Sequence, residues 1–222
     1  MVAKVMKETD RRLYCRVSHP YVDRPYSIGY NATISAPHMH AYSLELLQKN
    51  LTKDSRGMTT CLIPFKIFFD TFFVVLDVGA GSGFLTVCFA RLLQSLSPEG
   101  KGFVVGIEHH PKLVEFAIEN IKSDDPKLLA EGKIKIVQGD GRLGYEECAP
   151  YDAIVVGAAA SEVPENLLKQ LKQGGRMICP CGPAGDTQQL EQYDKLPNGQ
   201  IKKETLMSVV FVPLTDLSLS NA

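Results

Sequence analysis

The sequence has no excess of either charge. Its 222 residues hold 24 Lys and Arg against 25 Asp and Glu, a formal net charge of −1, and no basic run is longer than a pair such as Lys202-Lys203. Nucleic-acid-binding proteins usually carry a basic surface. We therefore expect neither DNA nor RNA as a partner.

Paired cysteines and long uninterrupted apolar runs are also missing. The six cysteines are scattered, mostly in apolar stretches, which is typical of reduced core thiols in a cytoplasmic protein. Cys179-Pro180-Cys181 has no second pair or histidine set beside it, so no metal site is predicted. The Phe-rich stretch 61–73 is interrupted by Pro64, Lys66 and Asp70. Because a membrane helix needs about 20 apolar residues, no membrane span is expected, and the charged first ten residues do not resemble a signal peptide.

A glycine-rich stretch organises what is present. Val74–Val78 is apolar apart from Asp77, and Gly79, Gly81 and Gly83 follow directly. Apolar residues then recur with helical spacing. This pattern predicts a buried strand, a tight loop and a helix whose N-terminal backbone N–H groups face a polar or anionic ligand. A plain strand-to-helix turn is the alternative interpretation.

Further apolar runs predict more strands of the same sheet. Strands alternating with helices of about 10–15 residues indicate right-handed βαβ units. The predicted fold class is therefore α/β: a doubly wound, mainly parallel sheet with an antiparallel C-terminal edge hairpin that turns at 197–200, in one domain over 1–222. Strands are expected over 103–107, 134–137, 151–156, 176–180, 188–196 and 204–213, and helices over 111–121 and 163–171, the last stopped by Gly174-Gly175.

The chain before this sheet is less regular. We predict a short helix near the start and then a loop with little regular structure up to residue 30. Ser35 is predicted to be the N-cap of a helix that has Pro37 in its first turn and runs to about Asn50. Four hydrogen-bonding side chains lie at this junction: Thr33, Ser35, His38 and His40. From their spacing alone, helix capping and packing explain them as well as a binding site does.

Acidic residues follow two strands of the predicted sheet. Glu108 ends the strand after the glycine loop, and Asp140 ends the next one. In a doubly wound sheet these ends are neighbours, and a carboxylate after the second strand suits a ribose diol. Asp140 is then placed to accept from the amine of adenine. An adenosine-type cofactor is the leading interpretation, with a solvated loop carboxylate as the alternative for Glu108.

S-adenosylmethionine fits this pattern better than a nicotinamide nucleotide. The third glycine comes one residue early for the G-x-G-x-x-G pattern of pyrophosphate binding. The segment 157–160, after the fourth strand, is small and offers no proton acceptor. That favours methyl transfer to a group already ionised at neutral pH, such as a carboxylate, which needs positioning and desolvation rather than a base.

Several motifs resemble the protein-L-isoaspartate (D-aspartate) O-methyltransferases. The most specific is Ala-Thr-Ile-Ser-Ala-Pro-His-Met-His at 32–40. Gly-Asp-Gly-Arg at 139–142, the stretch 151–159, Gly-Pro-Ala-Gly at 182–185 and Val-Pro-Leu-Thr at 212–215 follow in the family's order. The resemblance implies a class I, Rossmann-like S-adenosylmethionine-dependent methyltransferase. It would methylate the α-carboxylate of L-isoaspartyl and D-aspartyl residues in aged proteins and so start their repair.

The resemblance also implies roles for individual residues. Ser35 matches the family's active-site serine, and Asp77 with Gly79, Gly81 and Gly83 forms the cofactor loop. The implied substrates are isoaspartyl-containing peptides and proteins, and a cytoplasmic monomer is expected. The other implied cofactor-binding residues are Ala32, Thr33, Ile34, His40, Ser82, Glu108, His109, Asp140, Gly141 and Thr215.

Two departures from the family pattern bear on activity. Family members carry additional helix before the segment equivalent to Val5, so we expect a truncated N-terminal helix here. The linker 48–73 is longer than usual, and residues 52–73 are interpreted as an atypical insertion. Alternative or incomplete splicing is the hypothesised origin of residues 58–73, with a genuine family-specific loop as the alternative. Activity then depends on whether Val74–Val78 enters the sheet in register. An interaction protein that keeps the fold without efficient turnover is the alternative function, ahead of a small-molecule or RNA methyltransferase.

Overall fold

The computed structural model describes residues 1–51, 73–96 and 102–215. A two-stranded hairpin precedes a seven-stranded sheet. The strands are β1 (Tyr26–Gly29), β2 (Ala32–Ile34), β3 (Phe73–Val78), β4 (Gly102–Glu108), β5 (Ile134–Gln138), β6 (Tyr151–Val156), β7 (Leu171–Cys181), β8 (Gln188–Lys195) and β9 (Ile201–Val209). The helices are α1 (Val2–Glu8), α2 (Pro37–Gln48), α3 (Phe84–Leu96), α4 (Pro111–Asp124), α5 (Lys127–Ala130) and α6 (Glu165–Gln170).

The large sheet has the strand order β5-β4-β3-β6-β7-β8-β9. Strands β3 to β7 pair in parallel, and β8 and β9 are antiparallel. The chain goes outward from β3 to β4 and β5, then returns to β6 on the other side of β3. Ligands bind outside the carboxyl ends of the strands at such a switch point. The predicted α/β class, the mainly parallel sheet and the antiparallel C-terminal edge are confirmed.

β3 enters the centre of the sheet in register. Phe73 pairs with Gly102 and Val78 with Ile107, with no shift between them, and β6 pairs along the other edge. All six residues of β3 are buried. The strand begins one residue earlier than predicted, because Phe73 belongs to it rather than to the insertion. The rest of the predicted insertion, 52–72, lies outside the described residues.

Alternate residues of β3 face opposite sides of the sheet. Val75 belongs to a core shared with Leu44 of α2 and Phe89 of α3. Leu76 belongs to a second core with Leu167 of α6. This burial on both faces explains the continuous apolar run in the sequence. No helix within the described ranges is both long and apolar enough to cross a bilayer.

The segment before residue 36 is more ordered than predicted. The short first helix is confirmed as α1, but the expected loop up to residue 30 contains β1, which pairs with β2. Tyr30 and Asn31 turn the hairpin with φ of +52° and +57°. The usual hairpin signal at such a turn is Asn-Gly or Asp-Gly, so no local motif indicated this hairpin.

Several predicted boundaries in the second half were also wrong. The helix expected over 163–171 ends at Gln170, because Leu171 already pairs with Tyr151 as the first residue of β7. The Gly174-Gly175 pair therefore lies inside a strand rather than stopping a helix. The last strand ends at Val209, because the following residues cross to the end of β6, where Ala159 N donates to Val212 O at 2.8 Å.

The prediction that Ser35 caps α2 is wrong. The helix begins at Pro37 with Ala36 as its N-cap, and Ala36 has no side-chain acceptor. The acceptor comes instead from Asp23, whose Oδ1 lies 3.0 Å from His38 N and 2.9 Å from His38 Nδ1. A carboxylate at a helix N-terminus is favourable, so another segment supplies the cap and Ser35 lies outside the helix.

Candidate functional site

The glycine loop connects β3 to α3 at the carboxyl edge of the sheet. Backbone N–H groups of Gly79 and Ala80 both donate to Ile107 O of β4, at 2.8 and 3.1 Å. Gly81 takes a φ of +54°, which side-chain-bearing residues rarely adopt. Its N atom lies 2.9 Å from Glu108 Oε2. The loop therefore presents backbone N–H toward the carboxylate at the end of β4.

Glu108 is a buried carboxylate held by three donors. Oε1 accepts from His110 N at 3.1 Å and lies 3.0 Å from His109 Nδ1, while Oε2 accepts from Gly81 N. Burial opposes ionisation, but the hydrogen bonds from His109 and the two backbone N–H groups hold the pKa of Glu108 below its ordinary value. The same contact raises the pKa of His109. A fixed anion at the switch point is suited to a ribose diol.

An open cleft of about 570 Å³ runs past this carboxylate. Its volume lies within the roughly 300–1,000 Å³ usual for small-molecule sites. The walls are the tip of the β1–β2 hairpin, the loops after β3, β4 and β6, and the segment 212–215. The predicted residues that line this cleft are Ala32, Thr33, Gly79, Gly81, Glu108, His109 and Thr215.

A narrower space of about 40 Å³, the inner cavity, continues from the cleft. Thr33, Gly79, Gly81 and Gly157 line both spaces. The Ser35 carbonyl accepts a hydrogen bond from Arg11, whereas within the described ranges the Ser35 hydroxyl makes none. The further predicted residues that line the inner cavity are Ile34, Ser35, His40, Asp77 and Ser82.

Two titratable side chains line the inner cavity. Burial, with a contribution from Arg11, lowers the pKa of His40 to about 3, so its imidazole is neutral at neutral pH and a weak base. Burial raises the pKa of Asp77 to about 6, and its Oδ2 accepts from the Thr86 hydroxyl at 2.5 Å. His40 is too weak a base to deprotonate an acceptor at neutral pH. The Asp77 carboxylate is only 2% exposed and already accepts from Thr86, so the cavity suits an acceptor that is already ionised.

Three predicted residues line neither space. Gly83 packs against α4, and Gly141 packs so closely on β3 that a Cβ there would lie 2.4 Å from Val78 Cγ1. The Asp140 carboxylate accepts from Arg142 N at 2.9 Å and from Arg142 Nη2 at 2.6 Å. Their part in cofactor binding stays a prediction, and the two glycines have a packing role that the sequence did not distinguish from ligand contact.

Sequence reasoning missed several residues around the inner cavity. Leu190 and Phe211 line it from the C-terminal edge of the fold, and single apolar residues carry no signal of that. Arg11 lies behind the wall of the inner cavity and is only 4% exposed. Its Nη2 lies 2.8 Å from Ser35 O. In the sequence Arg11 lies between Asp10 and Arg12, a pattern typical of a solvated charged turn, so nothing local marked it.

Comparison with known proteins agrees on one family. The model of the family described as Protein-L-isoaspartate(D-aspartate) O-methyltransferase matches residues 1–219. Protein-L-isoaspartate O-methyltransferase 2 of Arabidopsis thaliana is 48% identical over 216 residues, which cover 96% of this chain and 62% of that one. The Triticum aestivum protein-L-isoaspartate O-methyltransferase is 46% identical over 219 residues, which cover 98% and 84%. The chain thus spans less than two thirds of the Arabidopsis relative and most of the wheat one.

A solved structure extends the likeness to the backbone. A Plasmodium falciparum protein named as a protein-L-isoaspartate O-methyltransferase, in complex with S-adenosyl-L-homocysteine, matches with a TM-score of 0.79 and 37% identity, over 96% of this chain and 89% of that one. The resemblance first seen at 32–40 is therefore confirmed along the whole chain. The chain belongs to the protein-L-isoaspartate (D-aspartate) O-methyltransferase family.

Proposed function

We propose that this chain transfers a methyl group from S-adenosylmethionine to the α-carboxylate of L-isoaspartyl and D-aspartyl residues in aged proteins. Its relatives and the P. falciparum protein are named for this activity. The observation that carries the proposal is the inner cavity. Ser35 and the neutral His40 both line this cavity, at the end of a cleft that holds the Glu108 carboxylate.

The chemistry of the cleft fits S-adenosylmethionine. Within the described ranges Oε2 of Glu108 accepts from Gly81 N alone, and a carboxylate oxygen can accept two hydrogen bonds, so Glu108 would hold a ribose hydroxyl through Oε2. The N-terminus of α3 and the glycine loop would face the polar groups of the methionine part. When bound, the cofactor supplies an electrophilic methyl group on a sulfonium centre.

Transfer to a carboxylate needs alignment more than proton movement. The acceptor oxygen bonds to the methyl carbon as the carbon–sulfur bond breaks, giving a methyl ester and S-adenosylhomocysteine with no proton transferred. Ser35 would donate its hydroxyl to the acceptor carboxylate and orient it. The buried side chains of Phe84, Val155 and Ile178 form the dry part of the wall, which excludes water from the reacting groups.

Labelled methyl transfer tests the proposal. The protein is incubated with S-adenosylmethionine carrying a radioactive methyl group and an isoaspartyl peptide, beside the aspartyl peptide of the same sequence. We expect base-labile label in the isoaspartyl peptide only. Ser35→Ala should lower turnover while S-adenosylhomocysteine still binds, because Ser35 touches the acceptor rather than the ribose.

The same assay separates the two functions considered. Label in neither peptide, with S-adenosylhomocysteine bound normally in calorimetry, would favour a non-enzymatic interaction protein. Label in both peptides would indicate an ordinary carboxyl methyltransferase without selectivity for isoaspartate. The family match and the named relatives do not favour the interaction protein.

We also propose that the chain acts as a cytoplasmic monomer in one domain without nucleic acid. The five cysteines within the described ranges are free thiols, which supports a reducing compartment. A net charge of −1 gives no general attraction to nucleic acid. Light scattering should give the mass of one 24.4 kDa chain; twice that mass would contradict a monomer.

A further inference from the structure

Arg11 is a buried cation with neutral partners. It lies in the short 3₁₀ turn Arg11–Leu13, and Arg rarely lies this deep unless it is paired. Its Nε donates to Pro20 O at 2.8 Å and its Nη2 to Ser35 O at 2.8 Å. In the part of the chain that the structure describes, no carboxylate lies within ion-pair distance of its guanidinium.

The guanidinium contacts the wall of the inner cavity from behind. Besides the bond to Ser35, Nη1 lies 3.5 Å from His40 Nδ1, and Cζ lies 5.6 Å from the centre of the Phe84 ring. The two rings also contact each other, with centres 4.9 Å apart. Ser35, His40 and Phe84 all line the inner cavity. One side chain therefore supports three wall residues that come from two separate segments.

The charge of Arg11 also acts inside the cavity. A guanidinium stays protonated in proteins, although burial lowers the pKa of Arg11 from its ordinary value. Backbone carbonyls and a neutral imidazole satisfy its hydrogen bonds without cancelling its charge. Because charges act strongly across a poorly solvated interior, an anion in the inner cavity is favoured by this cation one layer away.

We propose that Arg11 is a positioning residue for the methyl-accepting carboxylate: it fixes the Ser35 backbone and the His40 and Phe84 rings, and its charge draws an anionic acceptor into the inner cavity. The inference rests on the proposed function, since it takes the acceptor to be a carboxylate. Arg11 does not line the cavity itself, so it acts through the residues it holds.

Three variants test the inference in the full chain. Arg11→Gln removes the charge and the fork of donors, and Arg11→Lys keeps the charge alone. Arg12→Gln is the matched control, because Arg12 is exposed and pairs with Asp10 at 2.6 Å. We expect Arg11→Gln to raise KM for the isoaspartyl peptide about tenfold, because the acceptor carboxylate loses the attraction of a nearby cation and the wall residues lose their support. Arg11→Lys should recover part of this, Arg12→Gln should match the wild type, and the Kd of S-adenosylhomocysteine should stay within twofold throughout.

A second readout does not need turnover. NMR of ring-labelled histidine reports the His40 titration, which Arg11 and His38 influence by charge besides the effect of burial. Arg11→Gln should shift the His40 resonance and raise its pKa, and Arg12→Gln should leave both unchanged. Binding of the isoaspartyl peptide in the presence of S-adenosylhomocysteine is measured on the same samples.

These measurements separate the two proposals. A wild-type protein without turnover contradicts the proposed function. Peptide binding and the His40 resonance still test the positioning role of Arg11 in that case. Wild-type peptide affinity with an unchanged His40 signal in Arg11→Gln overturns the positioning role. If Arg11→Gln does not fold, Arg11→Lys is the deciding variant. If Arg11→Lys also fails to fold, or if it lowers the affinities for the peptide and for S-adenosylhomocysteine equally, Arg11 has a purely structural role and the inference is overturned.

Discussion

Glu108 shows how one side chain can serve both the loop and the ligand. Its oxygens accept from Gly81 N and His110 N, so it fixes the glycine loop to the end of β4 while the cleft runs past it. Replacement by an amide places an N–H₂ donor against these backbone donors. A buried donor left without an acceptor costs about 1–3 kcal/mol. The residue therefore contributes to loop geometry as well as to the proposed contact with ribose.

Glu108→Gln should weaken S-adenosylhomocysteine binding at least about tenfold, because it removes the anionic acceptor and disturbs the loop. Isothermal titration calorimetry gives the Kd directly. Glu115→Gln is the matched control, since Glu115 is exposed on α4 and pairs with the exposed Lys112. An unchanged Kd in Glu108→Gln would show that the cofactor does not use this carboxylate.

Asp77 makes stability depend on pH. Because burial raises the pKa of Asp77 to about 6, the folded chain binds this proton more tightly than the unfolded chain, whose Asp titrates near 3.8. Stability from this group is therefore present at low pH and is lost as pH rises through that window. Relative to the wild type, Asp77→Asn should gain about 2–3 kcal/mol in free energy of unfolding between pH 4 and pH 7.

Urea unfolding of both proteins at several pH values measures this difference. The subtraction removes the other titrating groups, because the two chains share them. A difference that stays flat between pH 4 and pH 7 would show that Asp77 titrates normally and that the Thr86 hydroxyl, at 2.5 Å, offsets the cost of burial.

At the scale of elements, Asp152 fixes the first residues of β3. Its Oδ2 accepts from Val74 N at 2.9 Å, and its Oδ1 accepts from Lys172 Nζ at 2.7 Å. The carboxylate is 2% exposed. β3 therefore has a side-chain anchor on β6 just before their backbone pairing starts at Val75 and Ala153, at the point where the chain comes out of the segment 52–72.

Asp152→Ala should lower the free energy of unfolding by about 3–5 kcal/mol, because it leaves the Lys172 ammonium, on a side chain that is only 11% exposed, without its partner. Chemical denaturation measures the loss. Glu165→Ala is the control: its exposed pair with Lys169 at 3.8 Å belongs to a class that contributes little. Equal, small effects of both variants would mean that backbone pairing alone holds β3.

The elements that could be predicted are those whose residue pattern follows from local structure, such as strands that are buried on both faces. Strands β3 and β6 are apolar apart from Asp77 and Asp152, because both faces of each strand are buried. The β1–β2 hairpin escaped prediction because its strands have four and three residues with partly exposed side chains. The cap of α2 escaped for a different reason: its carboxylate is Asp23, which is 15 residues away in sequence from the N–H that it accepts.

At the scale of the whole molecule, the cleft is assembled from distant parts of the chain. The glycine loop and Glu108 carried clear sequence signals, because a strand end fixes their geometry locally. The burial of Arg11 did not, because it depends on partners 24 and 29 residues further along the chain. The C-terminal wall likewise depends on Leu214 N donating to Ala159 O at 2.8 Å, a contact between segments that sequence spacing does not reveal.

Because distant segments build one cleft, a ligand in it should stabilise them together. At 100 times its Kd, S-adenosylhomocysteine should raise the free energy of unfolding by about 2.7 kcal/mol. Hydrogen exchange should slow at the hairpin tip around Tyr30, in the glycine loop and at 212–215, which line the cleft, while the exposed strand β9 keeps its rate. The Glu108→Gln variant at the same ligand concentration is the control and should show little slowing. Protection confined to the glycine loop would mean that the ligand contacts only the sheet, and that the hairpin and the C-terminal segment are not walls of the occupied site.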